Sequence, residues 1–114
     1  MITIYQIQLT DDQIDTVNAF GFNSVPAMKA KANVMLGAKN FNPSDFDYYM
    51  PTMHVDTDDL DEAFELTNLW EDEDRITRLG PCQSSSSVGD IFRKGAHFYM
   101  VDSFGFKEVD LTPN

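Results

Sequence analysis

Hydrophobic and polar positions change period several times along this chain, and each change marks an element. From Ile2 to Leu9 the residues are mostly β-branched or aromatic, with Ile2 and Ile4 on one side and Tyr5 and Ile7 on the other. Apolar groups on both sides predict an interior strand covered on both faces. Thr10 then stands where a helix N-cap belongs, with Gln13 at the capping-box position and Asp11 and Asp12 in the first turn. A hydroxyl accepting from the amide three residues on, and acids near the positive end of the helix dipole, favour a start here. Ile14, Val17 and Asn18 follow at helical spacing, and Gly21 can end the helix.

A second helix is expected from Ser24, with Pro26 tolerated in its first turn, a core stripe of Val25, Met28, Ala32, Met35 and Leu36, and Gly37 past its end. Residues 40 to 51 read as a loop bracketed by Pro43 and Pro51 and rich in aromatics: Phe41, Phe46, Tyr48 and Tyr49. With Met50 and Met53 this group is either an exposed anchor patch or, the expectation preferred here, packing laid on the sheet, since large exposed apolar patches are unusual on monomers. Met53 to Asp56 is a short candidate strand.

Thr57 is expected to cap a third helix running from Asp58 to about Trp70. On a 100° wheel Leu60, Ala63, Phe64 and Thr67 fall on one side, and Asp58, Asp59, Asp61, Glu62 and Glu65 on the other. Glu71, Asp72, Glu73 and Asp74 follow directly. Arg75, Ile76, Arg78 and Leu79 look like a short helical continuation stopped by Gly80-Pro81. After a four-serine tract, Val88 to Arg93 and His97 to Asp102 read as a hairpin around Lys94-Gly95-Ala96. Phe104, Phe106 and Val109 precede a polar tail. No repeat or domain linker is visible.

These elements predict a single acidic α+β domain spanning residues 1–114. Its antiparallel sheet would combine the N-terminal strand, the Met53 region and the C-terminal β-hairpin, with two or three helices on one face holding Met28, Met35, Leu60 and Phe64 in the core. The length of 114 residues suits one domain, and the 42% apolar and 12% aromatic content is far above that of acidic disordered tails.

Charge narrows the functional classes. Eight Lys+Arg against 19 Asp+Glu give a formal net charge of −11, which opposes direct contact with phosphates or anionic membranes. Ten of the 19 carboxylates lie between residues 56 and 74. Such density either solvates a helix face or steers basic partners to it. Cys82 is the single cysteine, so no internal disulfide is possible and a reducing, cytoplasmic setting is expected. No apolar run approaches ~18 residues, and the N-terminus lacks the basic region and cleavage site of a signal peptide.

Bond-making chemistry finds little support in the letters. Asp56-Thr57-Asp58-Asp59 begins like a calcium loop, but the sixth position is Asp61 instead of Gly and the twelfth is Thr67 instead of Glu. His54, Cys82 and His97 show no metal-ligand spacing. Serines, histidines and aspartates are present without a nucleophile-elbow pattern, and Val88-Gly89-Asp90 lacks the glycines and lysine of a phosphate loop. No cofactor is implied.

The stretch Ser86-Ser87-Val88-Gly89-Asp90-Ile91-Phe92, followed by Phe98-Tyr99-Met100-Val101-Asp102-Ser103-Phe104-Gly105-Phe106, resembles a recurring segment of small phage and mobile-element proteins. It is similar to the YodL-like group, in which an S-x-S-V-G-D run is followed by an apolar strand, a turn and a Y-x-V-D-x-x-G-F run. The acidic helix resembles a segment that often precedes it there. The resemblance covers roughly residues 54 to 109. It implies a small accessory protein of phage or plasmid type, with no catalytic residues to carry over. In physical terms the segment looks structural. Gly89 permits a tight bend, Asp90 can accept local amides, and Gly105 would let the chain turn with both flanking Phe rings packed inward.

The functional expectation is therefore a non-enzymatic protein that binds a host protein with a basic surface and modulates or inhibits it. Asp58, Asp59, Asp61, Glu62, Glu65, Glu71, Asp72, Glu73 and Asp74 would supply the field, and Trp70 a buried anchor. Against a nucleic-acid enzyme this would be nucleic-acid mimicry. The rivals are a self-assembling structural protein that joins through hairpin edges and the aromatic loop, and a small hydrolase using His54 or His97.

Overall fold

A computed structural model of the chain describes residues 1–69, 73–80 and 85–111. Its strands are β1 (Ile2–Ile7), β2 (Tyr49–Val55), β3 (Ile76–Arg78), β4 (Ile91–Lys94), β5 (His97–Val101) and β6 (Phe106–Val109). The α-helices are α1 (Asp11–Phe20), α2 (Pro26–Met35) and α3 (Leu60–Leu69). The strands form one sheet in the order β3-β2-β1-β4-β5-β6, and every neighbouring pair is antiparallel. The architecture is α+β with a C-terminal hairpin, as the sequence predicts.

β1 lies at the centre, and both of its faces are covered. One core cluster holds Ile2, Ile4, Met53, Val55, Phe92 and Val101 beneath Ala63 and Leu66 of α3. The other holds Ile7, Tyr49, Ile91 and Met100 beneath Ala27, Ala30 and Val34 of α2. Adjacent residues such as Ile91 and Phe92 enter opposite clusters because strand side chains alternate. The helices therefore lie on two faces, which corrects the one-face expectation. A sheet with apolar residues on both sides leaves no face for water.

Local signals hold where they are strongest. Thr10 Oγ1 accepts from Gln13 N at 3.1 Å, and Gln13 Oε1 accepts from Thr10 N at 2.9 Å, completing the capping box of α1. Gly21 follows α1 with φ 93° and Gly37 follows α2 with φ 135°, backbone that favours glycine.

Several expectations need correction. α2 starts at Pro26, after a short 3-10 turn at Phe22–Ser24, and its buried stripe is Ala27, Ala30 and Val34. Met28 is only half-buried, while Met35 and Leu36 are 56% and 77% exposed. The small side chains face the sheet because Tyr5, Phe41, Phe46 and Phe98 fill the remaining space on that side. These rings form a packed group, with Phe46 and Tyr49 stacked at 5.9 Å. Tyr48 and Met50 stay exposed.

β2 begins at Tyr49, earlier than Met53, and includes Pro51. The register passes from Ile4↔Met53 to Tyr5↔Pro51, so Thr52 is an extra residue, a β-bulge. Proline is tolerated there because β3 pairs only with Met53 to Val55. Residues 76–78 form strand β3 where a helical continuation is expected. In Ile76-Thr77-Arg78 a single inward residue, Ile76, enters the core. β6 is a further strand that the sequence reading leaves unassigned. Among the described residues no helix is long and apolar enough to cross a membrane.

Candidate functional site

The acidic residues divide into two sets once their contacts are traced. α3 begins at Leu60, and its cap is Asp59 rather than Thr57. Asp59 Oδ1 accepts from Asp61 N at 2.9 Å and from Glu62 N at 3.3 Å, whereas Thr57 Oγ1 accepts from Asp59 N one step earlier. Asp58 Oδ1 lies 2.6 Å from the N-terminal ammonium of Met1, which holds its carboxyl below the usual range. Glu62 pairs with the Arg75 guanidinium, which lowers its pKa, and Glu73 meets Arg78 at 3.2 Å. Four of the predicted partner-binding carboxylates are thus engaged within the molecule.

Asp61, Glu65 and Asp74 have no such engagement among the described residues and are exposed. Asp61 and Glu65 are four residues apart, one above the other on α3, about 6 Å along the axis. The helix beneath them is fixed by Ala63, Leu66 and Thr67, all buried. Trp70, Glu71 and Asp72 lie outside the described residues, as do Cys82 and Ser84.

Beside Asp61 a cavity of ≈ 290 Å³ opens between the first turn of α3 and the β5–β6 turn. Phe64, Val88, Val101 and Phe106 line it, with Asp61 and Asp102 among the acidic residues at its wall. Phe64 and Phe106 meet edge to face at 6.4 Å and 86°. Asp102 Oδ1 accepts from Ser103 N at 2.8 Å and Ala38 N at 3.2 Å, and these amides hold its carboxyl low and ionised. Next in the turn is Phe104, 98% exposed, contrary to the expectation that both Phe rings beside Gly105 pack inward. Phe106 is half-buried against the α3-side core.

The second notable feature is a buried polar network that sequence reasoning missed. Gln6 Nε2 donates to Asp90 Oδ2 at 2.9 Å and to the Ser85 carbonyl at 3.1 Å, and Thr52 Oγ1 donates to Gln6 Oε1 at 2.8 Å. Ser87 N also donates to Asp90 Oδ2, and Ser86 and Thr67 hydroxyls bond at 2.6 Å. Burial pushes the Asp90 carboxyl up to about 6, against the opposing pull of Gln6, Ser87 and Lys31. Tyr49 donates its hydroxyl to the Gly89 carbonyl at 2.6 Å, and burial with Asp90 and Asp45 nearby raises its pKa. The space between these groups is ≈ 10 Å³, room for one water at most. The network is structural: it straps residues 85–90 across the end of the sheet. One signal was available. Gln6 falls on the Ile2/Ile4 side of a doubly covered strand, and a polar side chain there requires partners.

The histidines stand apart. His54 Nδ1 is 2.9 Å from Thr3 Oγ1, and His97 Nδ1 is 2.8 Å from Glu108 Oε1 in an exposed pair. Neither hydrogen-bonds a serine among the described residues. No three His, Cys, Asp or Glu side chains among the described residues converge as metal ligands. Comparison of the chain with family models, curated proteins and solved structures finds no match.

Proposed function

We propose that this chain is a small acidic accessory protein, of the phage or plasmid type its C-terminal resemblance implies, that docks on a basic surface of a host protein and modulates or inhibits it. The observation that carries this reading is the pair Asp61 and Glu65: exposed, aligned on a helix anchored in the core, and without a counter-charge among the described residues. A rigid negative edge with no internal partner attracts positive surfaces at long range and adds little to its own fold. Where the target surface binds nucleic acid, these carboxylates stand in for phosphates. The engaged residues Asp58, Asp59, Glu62 and Glu73 shape and support that edge instead of meeting the partner first.

The test is capture from lysate of the cells that express the gene, with tagged wild-type protein and an Asp61→Asn/Glu65→Gln variant, at low and high salt. The expected result is a basic protein held by the wild type at low salt and lost on neutralisation or above ~0.5 M salt. A partner retained equally by the variant and at high salt would overturn the electrostatic reading.

A further inference from the structure

The geometry points to a specific anchor for that docking: the cavity between α3 and the β5–β6 turn receives an arginine side chain of the partner. This rests on α3 being the docking face and adds what the face recognises. The cavity of ≈ 290 Å³ falls at the lower limit of the ~300–1,000 Å³ usual for small-molecule clefts, a size suited to one long side chain. Apolar groups supply much of its wall, including two half-buried rings, Phe64 and Phe106.

The charged wall decides the occupant. Asp61 and Asp102 both border the space, and neither forms an ion pair among the described residues. Asp102 commits Oδ1 to two backbone amides, which leaves Oδ2 available, while Lys39 and Lys107 act on it only through space. An aromatic and aliphatic surface under two carboxylates suits a cation that sheds water easily and stacks by its flat face. Guanidinium does both, whereas an ammonium is compact and strongly hydrated. An aliphatic side chain would leave the carboxylates uncompensated as water is excluded. Phe104 is 98% exposed in the turn Asp102 to Gly105, between the lining residues Ser103 and Gly105, and would offer a contact to the segment that carries the arginine.

The experiment is a methyl and amide NMR titration of the full chain with three blocked tripeptides, Gly-Arg-Gly, Gly-Lys-Gly and Gly-citrulline-Gly, at ~20 mM salt. The arginine peptide is expected to move the Val88 and Val101 methyls and saturate at low-millimolar concentration, on the order of 1 mM. The lysine peptide should bind about 5-fold more weakly, and the uncharged citrulline peptide should not saturate. Asp61→Asn, an exposed change, should weaken the arginine peptide about 3-fold or more with the amide spectrum otherwise intact.

Equal binding of arginine and lysine, with shifts spread over Glu65 and Asp74, would overturn the pocket while leaving α3 as a docking face. Absence of any shift at Val88 and Val101 would overturn it as well. Loss of salt-sensitive capture in the lysate experiment, with the arginine peptide still saturating at the cavity, would separate the two claims in the other direction.

Discussion

Gln6 and Asp90 lie 84 residues apart in the chain, yet Gln6 Nε2 and Asp90 Oδ2 meet at 2.9 Å inside the protein. Both side chains are buried, at 3% and 8% exposure. Because the Asp90 carboxyl titrates near 6 when folded against about 3.8 when free, the folded state binds the proton more tightly than the unfolded chain. Asp90 therefore adds stability in full below pH ~4 and loses it as pH rises through about 6. The stability difference between wild type and Asp90→Asn should shift by about 2 kcal/mol in favour of the wild type between pH 7.5 and pH 4.5. Urea unfolding of both proteins across that range checks it, and a constant difference would refute the assignment.

Gly89 has φ +96°, and a Cβ placed there would sit 2.6 Å from Val34 Cγ2. Strain and overpacking combine at this position, so Gly89→Ala should cost about 2–5 kcal/mol. Shortening the neighbour removes the closest contact but leaves Val34 Cβ at 3.2 Å and the strained backbone. The Gly89→Ala/Val34→Ala protein should thus lose less stability than the two single changes summed, by about 1 kcal/mol or more. Denaturant melts of the four proteins measure the coupling, and strict additivity would mean that the two residues do not meet.

The hydroxyl pair Thr67 and Ser86 should respond asymmetrically. Thr67 Oγ1 also lies within bonding distance of the Ala63 and Phe64 carbonyls, so Ser86→Ala leaves it a partner. Thr67→Val strands the buried Ser86 hydroxyl and should cost about 1–3 kcal/mol, more than the reverse change. Thermal unfolding of the two variants decides the order.

Self-association through the free edge at β6 meets a charge barrier. Antiparallel pairing of two copies in one continuous sheet requires residues of the same face to oppose each other. For Phe106-Lys107-Glu108-Val109 this centres on Lys107 facing its own copy or Glu108 facing its own copy. Like charges directly opposite are destabilising. The wild-type edge should stay unpaired in sedimentation at ~100 μM, whereas Lys107→Val/Glu108→Val should dimerise with concentration. Equal dimerisation of both proteins would revive the self-assembling alternative.

Sequence signals proved legible where they were local or strongly periodic. The Thr10–Gln13 capping box, the apolar side of α3 and the hairpin around Gly95 each depend on residues a few positions apart. What escaped depends on the whole fold. β3 is three residues with one buried side chain, too short for alternation to register. The α2 stripe turned away from Met35 because distant aromatic rings had already filled the space, a decision no window along the helix contains. The acidic block was visible as composition. Its division into engaged and open carboxylates depends on Met1, Arg75 and Arg78, which meet it only after folding. The cavity walled by Phe64 and Phe106 joins residues 42 positions apart and had no signature at all.

The placement of β1 has a further consequence, for how the molecule is made. β1 leaves the ribosome before either of its neighbours, β2 at Tyr49–Val55 and β4 at Ile91–Lys94. During translation this apolar segment must wait until β4, about 90 residues later, has emerged before both its edges are filled. Pairings between such distant residues close slowly, and an unpaired β-prone segment is prone to clump in the interval. Nascent-chain length, more than the strength of any single contact, therefore sets the moment at which this protein becomes safe from aggregation.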